Sequence, residues 1–380
     1  MRIPRFQVLQ HSQLGDHAWH SLLIALLRGL AALQVAAAHT RNEFLPSLRT
    51  LEQPAVWYQL LAFITGFAHQ AVVLFFLISG WLVGGSLLNK LDQPQALAHY
   101  AVDRLSRLWT VLLPTFALCM ACAMLTGEPA GAALAWPVLL GNLIGLQTVS
   151  LPVFGGNYPL WSLANESWYY VLFPLLMLYG AGRQRLLVAI LMLAVICLLP
   201  FDMLLYFVIW LLGAAFSRVR LRCGTPTRCL LVGLLLALSV YFRLRGSNDD
   251  LVAASFGQDL LLSLIFLPLL ASLVTPIAAH GPWMGRLQRG AHWLSDRSFT
   301  LYVVHVPVLG LLHWICLHCF GHARLDGDDL SDLLAYGLML TVILGFSSCF
   351  YWLFESRTPI VRRTLKRWLL RPAPPLVRLP

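Results

Sequence analysis

The chain has 380 residues, of which 58% are hydrophobic and 12% charged, with a mean hydropathy of +0.71. A soluble domain carries about 25% charged residues, so the expected fold is all-α, a polytopic membrane bundle for which lipid is the main solvent. The net charge of +10 does not point to nucleic acid, because the basic residues fall between apolar runs and do not cluster with aromatics on a polar face.

Residues 1–18 form a polar segment with Arg2 and Arg5, and the apolar run that follows has no cleavage pattern, so it is read as a helix that stays in place. A spanning helix needs about 20 apolar residues. Ten runs are candidate spans, three of them short: 19–39, 60–82, 108–125, 160–179, 186–199, 203–216, 229–242, 260–279, 299–318 and 333–354. An eleventh run, 130–149, is interrupted by Gly131, Pro137, Gly141 and Gly145. Charge decides its fate. With 130–149 not crossing and the N-terminus inside, 21 of the 27 Lys and Arg lie on the inner side and five on the outer, as the positive-inside rule requires. The expectation is about ten transmembrane helices with both termini cytoplasmic, and 130–149 re-entrant or outer. Residues 19–356 then form the transmembrane domain and 357–380 a basic, proline-rich tail, loose from Arg371 to Pro380. Most of the eight cysteines lie in apolar runs, where they act as small hydrophobes. Cys119 and Cys122 form a CxxC within a helix. Cys316, Cys319 and His322, near His313 and His318, have metal-ligand spacing, but packing explains them better and no metal is assigned.

Several residues carry chemistry. Arg28 lies inside the first run, where a charge costs about 2.5–3.5 kcal/mol on insertion scales. His39 follows eleven residues later, about 20° from three full turns, so the two share a helix face roughly 16 Å apart. The alternative is that Arg28 snorkels to one interface and His39 marks the other. Ser79 and Gly80, in the second run, permit close helix contact. Arg104 and Arg107 share a face and could clamp a phosphate, or simply anchor the inner end. Glu166 lies where an apolar run begins, so it should pair with a cation or sit in a wet cavity, unless it only complements a helix N-terminus.

The order Arg28-Gly29-Leu30 to His39, then FFLISG over 75–80, RLSR over 104–107 and WSLANE over 161–166 resembles the family 3 membrane acyltransferases, bacterial O-acyltransferases of surface sugars. Ser298 to Pro307, with Tyr302 and His305, is similar to that family's late SYxLYLxH helix, and Tyr351 to Glu355 to its closing segment. The resemblance runs from Leu27 to Glu355. Thr110, Val306 and the delayed Pro359 depart from the family pattern without touching Arg28 or His39.

The resemblance implies a multi-pass protein of the bacterial inner membrane that moves an acyl group, most commonly acetyl, from acyl-CoA to a carbohydrate: a polysaccharide, an oligosaccharide or a lipid-linked sugar. It implies His39 as base or acyl carrier, Arg28 as donor holder or oxyanion stabiliser, and Glu166 as orienting group or acceptor ligand. Arg104 and Arg107, with Ser79, fall on the CoA side. His305 and Tyr302 form a possible additional site, and 41–57 and 130–159 are where acceptor selectivity would lie. From another class, a secondary transporter or flippase for a sugar-linked or acidic substrate also suits buried ionisable residues, and a non-catalytic scaffold is the third reading. Oligomeric state is not legible, and a homo-oligomer stays open.

Overall fold

The structure is a computed structural model and describes residues 4–16, 18–127, 131–182, 184–245, 251–277, 282–321, 323–327 and 329–370. His322 of the Cys/His stretch, residue 130, residues 278–279 of one expected span and the tail 371–380 lie outside them.

The helices in chain order are α1 Trp19–Phe44, α2 Val56–Ile64, α3 Ala68–Ser79, α4 Gly85–Leu88, α5 Ala96–Thr126, α6 Trp136–Leu143, α7 Leu160–Gly180, α8 Arg185–Leu198, α9 Phe201–Phe216, α10 Thr225–Leu244, α11 Ala253–Ser272, α12 Pro282–Phe320, α13 Leu330–Leu353 and α14 Thr358–Leu369. Among the described residues, seven helical stretches are long and apolar enough to cross a membrane. They contain α1, α2–α4, α5, α10, α11, α12 and α13. The helices α8 and α9 are apolar but shorter. The expected run 260–279 is displaced, since α11 begins earlier and stops at Ser272. Two helices outrun their apolar cores: α5 has 31 residues and α12 has 39, about 58 Å.

The interrupted run near residue 130 forms no long helix. It holds a 3-10 turn and α6, whose eight residues span about 12 Å, too short to cross. Polar side chains fasten this irregular stretch. The Asn142 amide donates to the Val138 and Pro152 carbonyls at 2.8 and 3.0 Å and accepts from the Phe154 N–H at 2.9 Å. Non-helical backbone at such a place needs this internal satisfaction.

The sequence held no signal for a strand, yet β1 Arg5–Val8 pairs antiparallel with β2 Val219–Arg222. Each strand alternates polar and apolar residues, but four residues are too few to distinguish that pattern from a loop. The N-terminal segment is thereby tied to the end of α9, and the Trp81 indole donates to the Gln13 carbonyl at 3.0 Å.

The core is organised by α1 and α12. Leu22 and Ala25 pack with Met284 and Ala291, and Ala32, Ala36 and Phe44 with Leu301, Val308 and Leu309, so the two helices run parallel. A second close crossing joins α3 to α9, as Ser79-Gly80 had suggested. A Cβ on Gly80 would lie 1.9 Å from the Trp210 carbonyl oxygen, and one on Gly213 2.2 Å from that of Leu77. Both obstacles are backbone atoms, which cannot rotate away. Beyond Gly80 the chain makes a π-helical turn, Gly80–Gly84, a feature that often marks a site. Gly213→Ala is therefore expected to destabilise by about 3 kcal/mol or more. Gly233→Ala, where nothing lies within 4 Å, should be neutral or slightly stabilising. Thermal unfolding in detergent, followed by tryptophan fluorescence, checks the pair.

Candidate active site

A cavity of about 260 Å³ opens between α1, α3, α5, α7 and α12. Arg28, Arg104, Arg107 and Arg362 line it, together with Ser79, Glu166 and Tyr302. A smaller cavity of about 190 Å³ shares Arg28, Arg107 and Arg362 with it and adds Asp296 and Glu355. Four guanidinium groups around one space make a strong anion field, since each brings a fork of donors.

Three carboxylates near them, Glu166, Glu355 and Asp103, are already engaged. Glu166 accepts from Ser79 Oγ, and from the Tyr170 hydroxyl at 2.5 Å. Trp210 Nε1 holds Ser79 in turn at 3.1 Å. Glu355, 5% exposed, accepts from Thr300 N at 3.1 Å and Thr300 Oγ1 at 2.5 Å, with Arg107 Nη2 at 3.7 Å. Asp103 pairs with Arg362 at 3.4 Å and Lys366 at 2.6 Å, which fastens the amphipathic α14 to α5 and brings Arg362 to the cavity. Arg104 lies over the rings of Tyr100 and Tyr170, 5.9 and 5.8 Å from their centroids.

His39 does not line this cavity. Its Nδ1 lies 2.8 Å from Nε2 of His305 on α12, and the Tyr158 ring meets it edge-on at 4.9 Å. The link to the cavity is Tyr302, one turn before His305, whose hydroxyl is 2.6 Å from Ser162 Oγ. Arg28 lines the cavity beside Ser298 and Phe299 of α12 and His39 meets His305 of the same helix, so the two lie on the common face of α1 that their spacing gives but do not line one cavity. Glu166 is on Ser79 and Tyr170, and its hydrogen bonds do not reach His39.

The hydrogen bonds fix which imidazole nitrogen is basic. His305 Nδ1 faces the Leu301 carbonyl at 3.0 Å, and a carbonyl can only accept. His305 Nδ1 therefore carries the proton, and its Nε2 accepts. His39 Nδ1 must then be the donor across the 2.8 Å contact, which leaves His39 Nε2 with its lone pair. This tautomer assignment follows from the network of acceptors.

The sequence named Arg28, His39, Ser79, Arg104, Arg107, Glu166, Tyr302 and His305, and all but the histidines line the first cavity. It missed Tyr170, four residues after Glu166 and so on the same helix face, and Arg362, one of several basic residues in the tail. Among the described residues no group of three His, Cys, Asp or Glu could hold a metal ion.

A helical bundle with membrane-length apolar helices, an arginine-walled cavity and a buried histidine pair has the architecture of a polytopic membrane protein. The family model for the acyltransferase domain of the family 3 acyltransferases matches residues 23–352, and the chain belongs to this family. No curated protein matches it. No solved structure does either.

Proposed function

We propose that this acyltransferase moves an acyl group, acetyl in the commonest case, from cytoplasmic acyl-CoA to a carbohydrate hydroxyl on the far side of a bacterial inner membrane. The reading is carried by one observation: four arginines wall a single cavity lined also by Tyr302, one turn of α12 before His305, and His305 holds His39 of α1 so that the His39 Nε2 is left basic. The cavity takes the phosphate end of the donor, with Arg28, Arg104, Arg107 and Arg362 as its donors to phosphate oxygens, and the thioester arm extends past Tyr302 toward His39.

In the transfer step, His39 Nε2 removes the proton of the acceptor hydroxyl, whose oxygen attacks the thioester carbonyl carbon. The tetrahedral intermediate collapses, the C–S bond breaks, and the thiolate takes the proton back from His39. The products are the sugar ester and free CoA. Tyr158, from the irregular stretch before α7, stands beside His39 where an acceptor would enter.

The membrane reading is ten spans with both ends cytoplasmic. It is supported by the 21 inner and five outer basic residues and by the parallel course of α1 and α12. Parallel helices need an odd number of crossings between them. The crossings by α2–α4, α5, α7, α8, α9, α10 and α11 make seven, and α6 as another would reverse α12.

Purified protein given acetyl-CoA and an exported oligosaccharide should release CoA thiol in step with ester formation. A transporter would leave acetyl-CoA intact. In the same assay, the double variant Arg104→Gln/Arg107→Gln should raise KM for acetyl-CoA by about 10²–10⁴-fold, at about 1.5–3 kcal/mol for each of two lost charged hydrogen bonds, with kcat little changed. An unchanged KM would remove the phosphate role.

A further inference from the structure

A second cavity of about 300 Å³ lies on the other side of α1 and α3, against α10 and α11. Its lining contains no Lys or Arg, in contrast to the first. It does contain Asp259, 1% exposed. The Asp259 carboxylate accepts from Tyr206 at 2.6 Å and meets His69 Nε2 at 2.8 and 2.9 Å. A buried ionisable group among membrane helices is by default a functional feature, and the acyl-transfer site makes no use of this one.

The lining is graded along the helix axes. Gln34 follows Leu27 by seven residues on α1, and Gln70 precedes Leu77 by seven on α3. Ser239 follows Leu235 by four on α10, and Asp259 precedes Phe266 by seven on α11. Two contacts put these polar residues at one level: Gln70 Nε2 donates to the Ser239 carbonyl at 3.1 Å, and His69, beside Gln70, meets Asp259. Arg228, early on α10, reaches the Ser272 carbonyl at the end of α11, so those two helices are antiparallel. One end of the cavity is therefore polar and the other hydrocarbon.

The polar end is neutral amide and carboxylate, with no Lys or Arg. Gln34 Nε2 donates to the Ile64 carbonyl at 3.0 Å, Gln70 Nε2 to that of Ser239, and Ser263 Oγ to the Asp259 carbonyl at 2.6 Å. Each amide keeps its oxygen and one N–H for a ligand, so the belt both accepts from and donates to a hydroxyl, while the Asp259 carboxylate repels an anion. Such a belt suits O–H donors and does not suit a phosphate. The volume equals that of about ten water molecules, room for a segment of one hydrocarbon chain.

We propose that this cavity binds a single-chain amphiphile from the bilayer whose polar group is an uncharged hydroxyl donor, as in a monoacylglycerol. The inference stands apart from the acyl-transfer reading, and its test uses no enzymatic readout. The full-length protein in phosphatidylcholine nanodiscs is titrated with a monoacylglycerol and, separately, with an alkyl phosphocholine of equal chain length, which lacks hydroxyl donors. The expected result is a saturable rise of the unfolding midpoint with the first and none with the second. Gln34→Leu/Gln70→Leu should abolish the rise. Leu74→Trp, which fills the cavity from a half-buried position, should abolish it independently, so one poorly folding variant does not decide the matter. Equal shifts with both lipids, no shift in the unaltered protein, or a shift that survives in variants with native circular dichroism would overturn the proposal.

Discussion

His39→Ala is expected to slow acyl transfer by about 10²–10⁴-fold, the usual worth of a positioned general base. Membrane insertion should be unchanged. The imidazole makes one side-chain hydrogen bond, to His305, and its loss leaves the buried His305 Nε2 without a donor, at a cost of about 1–3 kcal/mol in stability. His305 tests the geometry more sharply. It is 0% exposed and acts through His39, so its role is positioning. His305→Leu leaves His39 Nδ1–H without an acceptor and frees the ring to turn or change tautomer. A misplacement of about 1 Å is worth about 10²-fold, and the loss should fall on kcat more than on KM for acetyl-CoA. His305→Gln retains an acceptor oxygen and should recover about tenfold of that loss. If Leu and Gln behave alike, the directional hydrogen bond is irrelevant and only bulk matters at that position. If His39→Ala transfers acyl groups at the normal rate, the proton acceptor lies elsewhere.

What the sequence made legible divides along one line. Periodicity resolves what one helix does, so the common face of Arg28 and His39 and the shared face of Arg104 and Arg107 could be read in advance, while the expectation that 130–149 does not cross came from the distribution of charge. Contacts between helices could not. His39 and His305 are 266 residues apart, and nothing in either neighbourhood announces that their rings meet. The same holds for Ser79 with Glu166, 87 residues apart, and for His69 with Asp259, 190 apart. Motif order supplied part of what spacing lacked, because it marked Ser79, Glu166, Tyr302 and His305 as belonging together before any distance was known. Arg362 escaped both signals. It lies in a basic amphipathic helix where charge alone explains its presence, and only the ion pairs of α14 with Asp103 bring it to the cavity.

A large effect on stability is expected at Glu355, beside the same cavity wall. Its carboxylate is 5% exposed and takes both the N–H and the hydroxyl of Thr300, itself 0% exposed. Hydrogen bonds to a charged group are worth about 1.5–3 kcal/mol each. The ion pair with Arg107 adds less, because at 3.7 Å it is long and Arg107 is 33% exposed, open to water and screening. Removing the carboxylate also removes the cost of burying it, which offsets part of the loss. Glu355→Ala should therefore cost about 2–4 kcal/mol, mostly through Thr300, whose hydroxyl is left without a partner or water. Glu355→Gln keeps an acceptor for Thr300 and gives up only the charge, so about half that cost is expected. Thermal unfolding of the three proteins in one detergent gives the ranking. Equal destabilisation by Ala and Gln would mean that the charge toward Arg28 and Arg107 dominates, and the hydrogen bonds to Thr300 would then be incidental. The ranking also bears on the chemistry, since Glu355 and Arg107 form one wall of the space beside Arg28. Loss of the anchor should loosen donor binding, read as a higher KM for acetyl-CoA, before it changes the rate of the step at His39.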